Sequence, residues 1–128
     1  MPLVEAPTPA NFSPELLPAL LDLSLTGVVL YEPVRGAGSA VVDLAFAYLN
    51  PAAQRMLRLP ARPAATFPAQ FPDARTSGSF AFHRDTLLGD APGQFEINYQ
   101  ADGYDNYSRV AARRVGGQLL VSFIDTAG

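Results

Sequence analysis

The sequence predicts an α+β domain, and three observations carry that expectation. Residues 27–49 hold two β-rich runs around a glycine turn, residues 51–88 form a helical middle interrupted by prolines, and residues 94–124 return to β-rich runs separated by short polar turns. At 128 residues and 13.7 kDa the chain has the size of one domain, and 48% hydrophobic against 16% charged residues supplies a packed core. No internal repeat or domain boundary interrupts it.

Residues 1–12 (MPLVEAPTPANF) contain three prolines and no periodicity, so they read as a mobile lead-in to a domain spanning 13–128. Ser13-Pro14 reads as an N-cap and first helical residue ahead of Leu16, Leu17, Leu20, Leu21 and Leu23, a short amphipathic helix. Pro18 lacks a backbone donor and moves the expected start toward Leu17. Gly27–Tyr31 is β-branched and aromatic, Arg35-Gly36-Ala37-Gly38-Ser39 reads as a turn, and Val41–Leu49 completes a hairpin. Simple alternation places Val42, Leu44, Phe46 and Tyr48 on one face of that second strand. Its other face is smaller but still apolar, so both sides are expected to be covered.

At Asn50-Pro51 the strand gives way to a helix within one residue. Asn50 can accept from the orphan amides of the new helix, and Pro51 loses nothing at a position whose amide has no helical partner. Ala53, Met56 and Leu57 then form an inward stripe over about two turns. Prolines 60, 63, 68 and 72 forbid a long regular element, yet Phe67 and Phe71 are too apolar for a solvated loop, so short turns over a core are expected. Asp73–Leu88 reads as one longer helix with Phe80, His83 and Leu87 near one stripe, weakened by Gly78 and ended by Gly89-Asp90. Strands over 94–100, 104–113 and 118–124, joined by Ala101-Asp102-Gly103 and Gly116-Gly117, complete an antiparallel meander.

A net charge of −3 and a pI near 4.9 argue against a sequence-independent grip on nucleic acid or anionic membranes. With no Cys there are no disulfides, thiolate nucleophiles or Cys-ligated zinc, and a single His excludes a multi-histidine metal site within one chain, so no metal is expected. No apolar run approaches the ~20 residues of a membrane span and no signal peptide opens the chain, which places the protein in the cytoplasm. The carboxylates show no spacing that pairs them for acid and base work. Glu96 is the exception of interest, because on a covered strand face it needs a partner such as Arg109 or Arg113.

The order of elements, the Asn50-Pro51-Ala52-Ala53 junction, Phe95-Glu96 followed by Asn98-Tyr99, Asp102-Gly103, and the closing Val121-Ser122-Phe123-Ile124-Asp125-Thr126 together resemble a PAS domain over roughly residues 13–127. The resemblance implies a five-stranded antiparallel sheet with helices packed on one face and closing a pocket. It also implies a sensory or dimerising, non-catalytic role in a signalling protein, often a bacterial histidine kinase. Phe80, His83, Leu87, Asn98, Tyr99 and Tyr107 are then the ligand-binding candidates, among aromatic walls that include Tyr31, Tyr48, Phe82 and Phe95. Asp125 and Thr126 are the signal-transfer candidates. The family continues from there into a helical linker and an effector, so a C-terminal effector domain is the implied partner, with a homodimer as the implied assembly.

No ligand is named by the sequence. Haem is disfavoured because the family's ligating position falls at Ser79, one turn before His83. Flavin is disfavoured because the adduct-forming Cys is absent and Ser108 stands where a second flavin-holding Asn is expected. The leading expectation is a ligand-sensing module that signals through its last strand. The alternative is a ligand-free association domain built on the N-terminal leucines and one sheet face, and a small α+β cavity enzyme is the remote third.

Overall fold

The computed structural model describes residues 12–99 and 106–125. Helix α1 (Leu16–Leu23) precedes strands β1 (Gly27–Arg35) and β2 (Val41–Leu49). Four helices follow, α2 (Pro51–Leu57), α3 (Phe67–Gln70), α4 (Ala74–Ser77) and α5 (Ser79–Leu88), and then strands β3 (Gly93–Tyr99), β4 (Asn106–Val115) and β5 (Gln118–Asp125). All four strand pairings are antiparallel, in the order β2-β1-β5-β4-β3. The last strand therefore lies at the centre of the sheet, beside the first.

One face of that sheet is the core. Val29, Tyr31, Leu44, Phe46, Val110, Leu119, Val121 and Phe123 point into it and are buried against Phe67, Phe71, Phe80 and Leu87 of the helical middle. Each fully buried side chain of this size contributes roughly 1.5–3 kcal/mol relative to exposure. The opposite face is not covered among the described residues, contrary to the expectation of two covered sides: Val42, Leu120 and Ile124 stand exposed there.

Strand β2 departs from simple alternation. Its buried residues are Val41, Leu44, Phe46 and Leu49, whereas Val42 is exposed and Tyr48 only half-buried. The pairing with β1 explains this. Leu30 faces Tyr48 but Tyr31 faces Phe46, and Val34 faces Asp43 but Arg35 faces Val41, so Ala47 and Val42 are each an extra residue on β2. Each bulge switches the alternation by one position and exchanges the ends of the strand between faces. On β1, the strand continues past Tyr31 through Pro33, which is tolerated because β5 pairs with β1 only over Gly27–Tyr31 and asks for no amide there.

Helix α1 begins at Leu16, and Pro18 sits in its first turn, where the missing donor is one of the four that have no helical partner. None of its residues is buried. The expected single helix over Asp73–Leu88 is two helices. Gly78 adopts φ +88°, a left-handed conformation that ends α4 and starts α5, and it is a backbone break rather than a weakened turn. At the strand-to-helix junction the expected cap is present, with Asn50 Oδ1 accepting from the Ala53 amide at 2.9 Å and Pro51 in the first position.

Candidate functional site

Between the sheet and its helical roof lies a cavity of about 60 Å³. Tyr31 from β1, Val110 from β4 and Val121 and Phe123 from β5 form its floor, with Phe67 of α3 and His83 of α5 above. The sequence builds this locally. Alternation along β1, β4 and β5 sends those side chains inward, while Pro68 at the start of α3 and the break at Gly78 delimit the two short helices that carry Phe67 and His83.

The rings form one cluster. Tyr31 lies 5.1 Å from Phe46 and 5.4 Å from Phe67, and it meets His83 edge-on at 5.6 Å, while Phe67 lies 4.7 Å from the His83 ring. These separations are those at which aromatic pairs attract beyond the area they bury.

His83 is 2% exposed, and its Nδ1 lies 2.7 Å from the carbonyl oxygen of Ser79 one turn earlier. A carbonyl only accepts, so Nδ1 carries the proton, and in the neutral ring Nε2 is left with its lone pair. Burial lowers the His83 pKa to about 4 because the imidazolium loses its hydration, against a smaller upward pull from the Ser79 carbonyl. Burial likewise pushes the Tyr31 hydroxyl above its ordinary range. The site therefore presents a neutral imidazole and a neutral phenol at ordinary pH.

Of the residues expected to bind a ligand, His83 lines the cavity. Phe80 and Leu87 share its buried helical stripe but lie elsewhere. Phe80 packs on Phe67 at 6.5 Å beneath the Arg75 guanidinium, 4.5 Å from its ring, and Leu87 borders a surface groove with Arg35 and Arg114. Asn98 and Tyr107 face one another across β3 and β4, and Tyr99 is next to them, but the side chains of all three lie outside the described residues. Asp125 ends β5 opposite Ser108, and Thr126 lies outside the described residues, as do Ala101-Asp102-Gly103. The lining residues not singled out as ligand contacts include Phe67, Ser79, Ser108, Val121 and Phe123. Their signal was present in the period of two along β5 and in the Phe67–Phe71 spacing, but nothing local says which core residues border a gap.

Glu96 pairs with Arg109 at 3.5 Å as expected, though on the exposed face of the sheet, where such a pair contributes little. No group of three or more His, Asp or Glu among the described residues is placed to hold a metal ion. No helix among them is long and apolar enough to cross a membrane. A volume of about 60 Å³ is also far below the ~300–1,000 Å³ of sites for drug-sized ligands, so a haem or isoalloxazine would require the roof to move outward.

No family model matches the sequence. No curated protein matches it. Among solved structures, a domain of the sensory box sensor histidine kinase/response regulator from Geobacter sulfurreducens superposes with a TM-score of 0.67 at 16% identity, covering 87% of this chain and 92% of that one. An RNA-binding Light-Oxygen-Voltage receptor superposes with a TM-score of 0.60 at 15% identity, covering 98% of this chain but only 36% of that one. At these identities the likeness concerns the fold. With β5 at the centre of a five-stranded antiparallel sheet, short helices roofing one face, and agreement along nearly the whole length, the fold of this chain is the PAS fold.

Proposed function

We propose that the chain is a sensory module of a signal-transduction protein, a histidine kinase being the first expectation, and that it binds a small molecule in the cavity beneath α3 and α5. One observation carries this reading: Val121 and Phe123, two strands' widths from either sheet edge on β5, are cavity wall, and the same strand runs on to Asp125. An occupant pressing on those side chains acts directly on the strand from which the resemblance leads to an effector. The coupling cannot exceed the ligand's differential affinity for two packings, typically ~1–3 kcal/mol. A screen of small metabolites by thermal unfolding tests it. A ligand at about 100 times its Kd stabilises the fold by roughly 2.7 kcal/mol, a rise of several degrees, and slows amide exchange along β5. Binding that leaves β5 exchange untouched would refute signal transfer through that strand.

The exposed leucines favour a second reading, association between copies. Leu17, Leu20 and Leu23 of α1 are all more than half exposed, and Val42, Leu120 and Ile124 add apolar area on the open sheet face. Apolar patches of this kind on a monomer mark interaction surfaces. The mass of the protein in solution, with and without α1, decides this reading.

A further inference from the structure

The chemistry of the cavity wall restricts what it can hold. His83 Nδ1 is committed to the Ser79 carbonyl, and Nε2 has no hydrogen-bonding partner among the described residues. No described side-chain nitrogen or oxygen is both fully sealed and unpartnered, so Nε2 keeps the small accessible surface that His83 retains, and the space that His83 borders is the cavity. The hydroxyls of Tyr31 and Ser79, on the same wall and at 3% and 2% exposure, likewise have no partner among the described residues. Among the described residues the remaining wall is hydrocarbon apart from Ser108, and none of those lining it is charged.

We propose that the cavity selects an uncharged, alcohol-like molecule of roughly two to four heavy atoms, whose hydroxyl donates to His83 Nε2 and accepts from Tyr31 or Ser79 while its hydrocarbon part meets Val29, Val110 and Val121. This rests on the reading of the cavity as the ligand site. Size sets the upper bound, since a cavity that holds benzene measures about 150 Å³ and this one about 60 Å³. Charge is selected against because neither an anion nor a cation would recover its lost hydration from the described wall. Water fits by volume and the same polar atoms can bond it, but it leaves the valine side of the cavity without contact. The ring's resistance to protonation keeps Nε2 an acceptor throughout the neutral range.

His83 is the only histidine, so its imidazole nitrogen resonances need no assignment. The test titrates ¹⁵N- and methyl-labelled protein with 2-propanol, acetone and acetate, which match closely in size but differ in donor and charge. The expected result is a saturable shift of Nε2 and of the Val29, Val110 and Val121 methyls with 2-propanol. Acetone is expected to bind about tenfold more weakly, the worth of one lost hydrogen bond, and acetate not at all. In His83→Leu the preference for 2-propanol over acetone disappears while the valine methyls still respond. Equal affinity for acetone and 2-propanol in the unaltered chain, or saturable 2-propanol binding that leaves Nε2 unmoved, overturns the assignment of ligand class while the cavity stands as a site. No saturable methyl shift with any of the three overturns the assignment and the cavity reading together.

Discussion

Asn50 gathers four backbone groups from three parts of the chain. Its Oδ1 accepts from the amides of Val28 (2.8 Å) and Ala53 (2.9 Å), and its Nδ2 donates to the carbonyls of Leu21 and Thr26, both at 3.0 Å. The side chain is wholly buried, so water cannot replace what a substitution removes. Asn50→Ala is expected to cost ~2–4 kcal/mol by urea unfolding, well beyond a lost helix cap, because it leaves buried donors and acceptors unmatched. Asn50→Asp is expected to be no milder, since it keeps the acceptor but loses both donors and buries a charge. The capping bond was legible in the Asn-Pro pair, whereas the ties to Leu21, Thr26 and Val28 were not, because they join residues 22 to 29 positions apart. His83 adds a pH dependence. Its folded pKa of about 4 lies below the ordinary 6.5, so between those values the unfolded chain takes up a proton that the folded chain refuses. Stability is complete above pH 6.5 and falls as the pH drops toward 4, by up to ~1.4 kcal/mol per pH unit. Unfolding midpoints at pH 7.5 and pH 5 check it: His83→Phe is expected to lose ~2 kcal/mol less than the unaltered chain between them.

Helices α4 and α5 are separated by a single glycine, and the separation is conformational rather than steric. A Cβ at Gly78 would meet nothing closer than Phe95 Cζ at 3.9 Å, but φ +88° is unfavourable for any L side chain. Gly78→Ala is therefore expected to cost ~1–2 kcal/mol through backbone strain alone, measured by thermal unfolding, and to leave the aromatic cluster in place. From the sequence Gly78 read as a tolerated helix interior residue, since a lone glycine costs a helix only about 1 kcal/mol and the inward stripe of Phe80, His83 and Leu87 continues without it. Strand β2 carries the same lesson. Val42, Leu44, Phe46 and Tyr48 match a period of two, and only the partner strand reveals that Ala47 and Val42 are supernumerary. Bulges are set by pairing, which local alternation does not contain.

Across the whole molecule, the order of elements and the antiparallel sheet were readable because turn residues and periodicity change at each boundary. The cavity was not, because a gap of about 60 Å³ is a small residue of how three strands and four short helices fail to fill space between them. Helix α1 tests the assembly at this scale. It buries none of its own residues, and its described tie to the body that involves a side chain is the Leu21 carbonyl on Asn50 Nδ2. Removing residues 1–24 is thus expected to destabilise the remaining fold by ~1–2 kcal/mol, the worth of that bond and of the Ser24 hydroxyl's bonds to Thr26. If copies associate through the leucines, light scattering will show the mass fall to that of a monomer, and an unchanged mass will rule out α1 as the contact. The two extra residues of β2 have a final consequence. This strand and β3 are the sheet's two margins, and a straight β2 would offer an uninterrupted row of backbone donors and acceptors to any other chain. Kinked at Val42 and again at Ala47, it is a poor template for runaway strand addition, so the same irregularities that redistribute its side chains also guard the protein against aggregation.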